Sequence, residues 1–150
     1  MKTLAFNFTS SHIYLVVLSG DNDNPTLAFK DRLNLPENLD PSGLAQWFEN
    51  QIEAILNNQE PNKIVYNLSI NNVKYKYVHN VYFAQAITNL LAKKRNIDIA
   101  YMAPNAITNS KFGLAKGDSL PDYLDGKIGA HPPHWNKNMR NASLMALLNL

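Results

Sequence analysis

Apolar residues alternate or run continuously in short segments through the first 35 residues, and from residue 40 onward stretches with one at every third or fourth position alternate with further short strand-like segments. Strands show one face per alternate residue and helices one face per three or four, so this change of period divides the chain into a strand-only opening and a mixed remainder. Residues 3–8 put Leu4, Phe6 and Phe8 on one face and Ala5, Asn7 and Thr9 on the other. Ser10-Ser11 offers a turn, and residues 13–19 form a β-branched apolar run. Gly20-Asp-Asn-Asp-Asn-Pro25 is a strong turn signal. Leu27, Phe29, Leu33 and Leu35 then keep period two, with Asp31 the one break on that face. Connections this short predict an antiparallel meander.

The remainder alternates. Asp40 is an N-cap candidate followed by Pro41, whose missing N–H costs nothing at the first helical position. Leu44, Trp47, Phe48, Ile52, Ile55 and Leu56 then form one apolar stripe, which ends at Gln59-Glu-Pro-Asn62. Residues 63–68 read as a short strand and residues 80–94 as a helix with Phe83, Ala84, Ile87, Leu90 and Leu91 inward. Lys93, Lys94 and Arg95 at its end complement the helix dipole. Residues 97–103 are a strand stopped by Pro104, and residues 139–150 an apolar closing helix. The order βββαβαβα predicts an α/β fold, a five-stranded mixed sheet in order 3-2-1-4-5 flanked by helices. The chain direction reverses between strands 1 and 4, where open α/β sheets favour ligands. With 150 residues and no visible linker or repeat, one domain over residues 1–150 is expected.

That order resembles the ribonuclease H-like superfamily, and four local patches resemble its RuvC-type resolvase branch. TLAFNFTSS is similar to the first strand, where the resemblance puts a catalytic Asp at the place of Asn7. KIVYN is similar to the strand that ends on a catalytic Glu, here Asn67. YMAPNAI looks like the fifth strand and its exit. NMRNASLMALL resembles the closing-helix pattern Asp-x-x-Asp-Ala, with Asn138 and Asn141 at the two Asp positions. Residues 110–135 depart from the family, lacking its long charged helix. The resemblance implies two divalent cations held by four acids. Asparagine keeps the shape of aspartate and one carbonyl acceptor but no charge, and hard cations want carboxylates. The expectation is a degenerate site at Asn7, Asn67, Asn138 and Asn141, with no catalytic residue, metal or cofactor. Asparagine is abundant here, 21 of 150 residues, which makes any single match cheap.

Charge is divided unevenly. Residues 21–60 hold eight acids against Lys30 and Arg32, whereas residues 61–150 hold eleven Lys and Arg against four Asp. This asymmetry can mark a nucleic-acid surface or merely unequal solvated faces. The stretch Tyr75-Lys-Tyr-Val-His-Asn-Val-Tyr82 interleaves aromatics with cations, a pattern that can stack bases and neutralise phosphates; Tyr77 and Tyr82 could equally pack on helix faces. Lys74, Lys76, Tyr77, Lys111 and Lys116 are the nucleic-acid-binding candidates, with Lys111 and Lys116 expected on the same rim of the sheet as that stretch.

Other chemistry is thinner. There is no cysteine, which excludes disulfides and thiolate sites. The start shows no secretory signature and no apolar run approaches the ~20 residues of a bilayer span, so a cytoplasmic location and no membrane partner are expected. Three Asn-x-Ser/Thr sequons, at Asn7, Asn67 and Asn141, are read as coincidence on the same ground. His131-Pro-Pro-His134 could place two imidazoles on a metal with Asp122 or Asp125, but lacks a helical scaffold. Four of six glycines fall between residues 113 and 129 without a phosphate-loop pattern, and a mobile flap is expected there. Three functions are compatible with the residues. One is an inactive nuclease-like module binding branched or single-stranded DNA or RNA. Another is a protein-interaction or regulatory scaffold using the Trp47 helix and the acidic segment 21–60. The third is a metal-dependent nuclease with ligands relocated to Asp118, Asp122, Asp125, His131 and His134.

Overall fold

A computed structural model describes residues 1–68 and 78–150. Three strands open it: β1 (Lys2–Phe8), β2 (His12–Ser19) and β3 (Thr26–Asn34). The helix α1 (Pro41–Gln59), strand β4 (Lys63–Asn67), helix α2 (Val78–Arg95) and strand β5 (Asp98–Met102) follow. The helices α3 (Leu120–Ile128) and α4 (Lys137–Leu148) complete the chain. The sheet order is β3-β2-β1-β4-β5, with β1 antiparallel to β2 and parallel to β4. The expected mixed sheet is therefore present, and its direction changes between β1 and β4.

Strands β1 and β2 are buried on both faces because helices cover both. On one side Leu4, Phe6, Phe8, Ile13, Leu15 and Val17 pack against Leu44, Phe48, Ile52 and Leu56 of α1 and Val81, Ala84 and Leu91 of α2. On the other, Ala5, Tyr14, Val16 and Val65 pack against Met139, Ala142, Met145 and Ala146 of α4 and Leu124 of α3. The alternation Leu4/Phe6/Phe8 against Ala5/Asn7 thus aims Asn7 at the α4 layer.

Helix boundaries follow their caps. Asp40 Oδ1 accepts from Gly43 N at 2.7 Å with Pro41 next to it, and Glu60 closes α1 in the left-handed region at φ 48°. Asn136 accepts from Met139 N at 3.1 Å and so starts α4 at Lys137, two residues before the apolar run begins. Gly20 sits at φ +106° in the β2–β3 turn, where an added Cβ would stand 2.3 Å from Asn24 O, so only glycine closes this turn.

Two expectations are corrected. Leu27 and Phe29 do not share a face, since a bulge between Val17 and Leu18 pairs Leu18 with Leu27 but Val17 with Phe29. Leu27 therefore packs with the α4 layer, whereas Phe29, Leu33 and Leu35 pack with the α1 layer. The glycine-rich segment is not a bare loop. It follows a 3-10 turn (Asn109–Phe112) and contains α3, capped by Ser119 and anchored by Leu124, which is 0% exposed. One fully buried leucine is enough to tie a nine-residue helix down, because exposing it costs ~1.5–3 kcal/mol.

Candidate functional site

The carboxyl ends of β1 and β4 lie side by side at the point where strand direction reverses. Asn7, one residue before the end of β1, is 5% exposed. Its Nδ2 donates to the Asn138 carbonyl at 3.2 Å and to Asn138 Oδ1 at 3.1 Å. Asn138 is in the first turn of α4, so the Asn136 cap that sets the helix start also sets this contact. Asn141 follows at i+3, on the same side of the helix and half-buried.

Asn67 ends β4 and behaves like an extra peptide unit. Its Oδ1 accepts from Phe8 N at 2.7 Å and its Nδ2 donates to Phe8 O at 3.2 Å. This pair continues the β1–β4 ladder beyond Phe6 and Tyr66, its last matched residues. The Asn67 carbonyl accepts from Gln85 Nε2 of α2 at 3.1 Å. Three of the four asparagines singled out in the sequence thus meet within one residue of the end of β1, and Asn141 stands one turn along the helix that contacts Asn7.

Strand register adds residues that sequence reasoning passed over. Asn7 is paired with Tyr14, and Tyr14 with Arg32, so the three form a row across β1, β2 and β3 on the α4 face. Tyr14 Oη accepts from Asn136 Nδ2 at 3.4 Å, and the His12 ring lies 5.7 Å from the Tyr14 ring. Burial would push the Tyr14 phenol up. Hydrogen bonding from Asn136 and Asn138 and the nearby Arg32 charge outweigh it and hold the phenol below its ordinary value. The signal was available: a turn at Ser10-Ser11 pairs Thr9 with His12, and counting back from there puts Tyr14 opposite Asn7.

The two divalent cations implied by the family resemblance do not fit this set. Asn67 spends its oxygen on Phe8 N, and Asn7 points its donor at Asn138. What remains is neutral amide oxygen, which supplies none of the negative charge a pair of dications needs. Among the described residues no group of three His, Asp or Glu gathers anywhere. The relocated ligands are likewise dispersed. Asp125 accepts from Arg140 Nη2 at 2.6 Å and from Trp135 Nε1 at 2.7 Å, and His131 Nε2 lies 2.7 Å from Ile128 O. The Asp125 carboxyl is held below its usual range, first by the Arg140 hydrogen bond and then by Trp135, against burial.

The basic candidates divide. Lys74, Lys76 and Tyr77 lie outside the described residues. Lys111 shares a hollow with Asn22, Asp23, Leu147 and Leu148. That hollow is at the β2–β3 turn and the end of α4, the rim opposite Asn7 and not the rim expected for it. Lys116 lines a small local hollow with Asn109 and Asp118. Of the described cations, Arg32 shares the cross-strand row of Asn7, Lys137 and Arg140 immediately precede Asn138 and Asn141 in α4, and Lys30 Nζ donates to Pro133 O at 2.7 Å.

No family model and no curated protein matches the sequence. Solved structures do. T. thermophilus RuvC in complex with a Holliday junction substrate is similar at TM-score 0.77 and 14% identity, over 99% of this chain and 91% of that one. Thermus thermophilus RuvC alone gives TM-score 0.79 and 12% identity, over 99% and 92%. The yeast mitochondrial Holliday junction resolvase Ydc2 gives TM-score 0.74 and 14% identity, over 97% of this chain and 76% of that one. The sheet order, the helices on both faces and these three likenesses together give the chain the ribonuclease H-like fold in its RuvC form.

Proposed function

We propose that this chain is a catalytically inactive RuvC-like module that binds branched or single-stranded nucleic acid and does not cut it. The observation that carries the reading is the bond from Asn7 Nδ2 to Asn138. At the end of β1 the family resemblance calls for a carboxylate facing another carboxylate across a metal. Here an amide donor meets an acceptor directly, and the contact closes without a cation. Two carboxylates could not make this bond, because neither has a proton to give.

A nucleic-acid role draws support from two sides. One of the similar structures holds a Holliday junction, a four-way DNA branch. In this chain, residues 61–150 carry the excess of Lys and Arg, and Arg32 joins Asn7 in one cross-strand row on the α4 face. Phosphate neutralisation supplies most non-specific affinity and makes it salt-dependent. The scaffold alternative gains less: Trp47 is partly buried against the core, edge-on to Phe48 at 5.3 Å.

The test is binding and cleavage on one substrate series. A four-way junction, a duplex and a single strand are titrated at rising salt, then incubated with Mg²⁺ or Mn²⁺ and run under denaturing conditions. The reading expects salt-dependent binding with every strand intact. Metal-dependent nicking that persists through re-purification and disappears in Asp122→Asn or Asp125→Asn would instead establish the relocated-ligand nuclease.

A further inference from the structure

Arg32 is a cation with no anion. It is half-buried, its Nε is shielded from solvent and has no hydrogen-bond partner, and it takes part in neither ion pair among the described residues, which join Arg95 to Glu53 and Arg140 to Asp125. Its neighbour Asp31 accepts from the Arg32 backbone N but belongs to the opposite face of the strand. Shielding a guanidinium nitrogen from water without giving it a hydrogen-bond partner is costly, and the rest of the group lines a solvent-filled hollow where a ligand can reach it.

The surroundings say what kind of partner. Arg32 lines a hollow of about 820 Å³ with Ser10, Ser11, His12, Asn34 and Asn80. Glu37 lines it too, outside ion-pair range of Arg32. Beneath Arg32 are the Tyr14 phenol and, through it, Asn136 and Asn138. Guanidinium, imidazole, hydroxyl and amide are donors that can surround a tetrahedral oxyanion, and a planar guanidinium can give two parallel bonds to it. Glu37 is the one carboxylate among the residues that line the hollow, too few for a pair of metal ions.

We propose that Arg32, with His12 and Ser11 and positioned by the Tyr14 phenol beneath it, forms a site for one phosphate group, the phosphodiester of a bound strand or a free phosphate ion. Where it is a strand, the site rests on the nucleic-acid reading above and says where that strand's backbone is held: beside the asparagine cluster, at the β2–β3 side of the rim. In place of a metal that attracts the phosphate through its charge, an arginine binds it and leaves it unactivated.

Two arms test this. Calorimetry with inorganic phosphate, against chloride at equal ionic strength, should show binding by the wild-type chain and none by Arg32→Gln. Arg32→Gln should also bind a single strand or junction about tenfold more weakly, with the slope of log K against log salt lowered by about one. Arg32→Lys should keep that slope, since it keeps the charge. Tyr14→Phe, which preserves shape and so guards against a folding artefact, should weaken phosphate binding roughly threefold. If phosphate binding depends on Arg32 while nucleic acid does not bind at all, the site stands and the strand reading falls. If the chain binds nucleic acid but Arg32→Gln changes neither its affinity and slope nor the phosphate heat, the site is overturned and the strand reading stands.

Discussion

The Asn7 side chain is 5% exposed and is the donor in both of its contacts with Asn138, one to a backbone carbonyl whose acceptor character no rotation can change. Asn7→Asp would therefore set a carboxylate against that carbonyl. The substitution loses the hydrogen bond to the carbonyl, forces the Asn138 amide to turn if it is to donate, and buries an uncompensated charge, and should cost ~2–4 kcal/mol at neutral pH. Burial beside an acceptor raises a carboxyl pKa, and the protonated form can donate again. The penalty should thus be full above the raised pKa and should shrink as pH falls through it. Chemical denaturation of wild type and Asn7→Asp at neutral and mildly acid pH measures this. A variant as stable as wild type at neutral pH would mean that the Asn7 donor is not what the position requires. Asn67 differs in kind, because its amide bonds Phe8 in both directions and substitutes for a strand residue.

At the scale of elements, α3 and α4 are joined by one polar knot. Asp125 receives Arg140 Nη2 at 2.6 Å, Arg140 Nε at 3.2 Å and Trp135 Nε1 at 2.7 Å, while Arg140 Nη1 donates to Trp135 O at 3.0 Å. The pair is about a quarter exposed, so water screens it in part. Asp125→Ala, which strands Arg140 and the indole N–H, should cost ~1.5–3 kcal/mol. Since the folded carboxyl is held low, this contribution is present above the ordinary carboxylate range and is lost as pH falls through the folded value. Wild type should accordingly lose its advantage over Asp125→Ala in acid, and an undiminished advantage there would contradict the account. The sequence told of this region only in part. Ser119-Leu-Pro-Asp reads as a helix start, with Ser accepting from Asp122 N at 3.3 Å, but four glycines nearby drew the expectation of a flap. The β3 bulge was hidden for a different reason, since period two looks unbroken from Leu27 to Leu35 and only pairing with β2 shows that a residue has been inserted.

Across the whole molecule, strand order, the placement of α1, α2 and α4 and the face of Asn7 were legible because period and caps act locally, and topology follows from short connections. Lys111 was misplaced because no local pattern says which rim a loop returns to. The Tyr14–Arg32 row needed cross-strand register. The molecule that results has two apolar layers on one mixed sheet and, at the reversal of β1 and β4, amides where the resemblance would place carboxylates, with Arg32 in the same cross-strand row on β3. That substitution is the centre of the account, and titration with Mn²⁺ followed by calorimetry tests it most directly. The wild-type chain should show no saturable heat, whereas the triple variant Asn7→Asp, Asn138→Asp, Asn141→Asp should bind the cation and regain, when bound, the stability its clustered carboxylates cost it. Saturable binding of Mn²⁺ by the wild-type chain, abolished by Asn7→Ala, would contradict it.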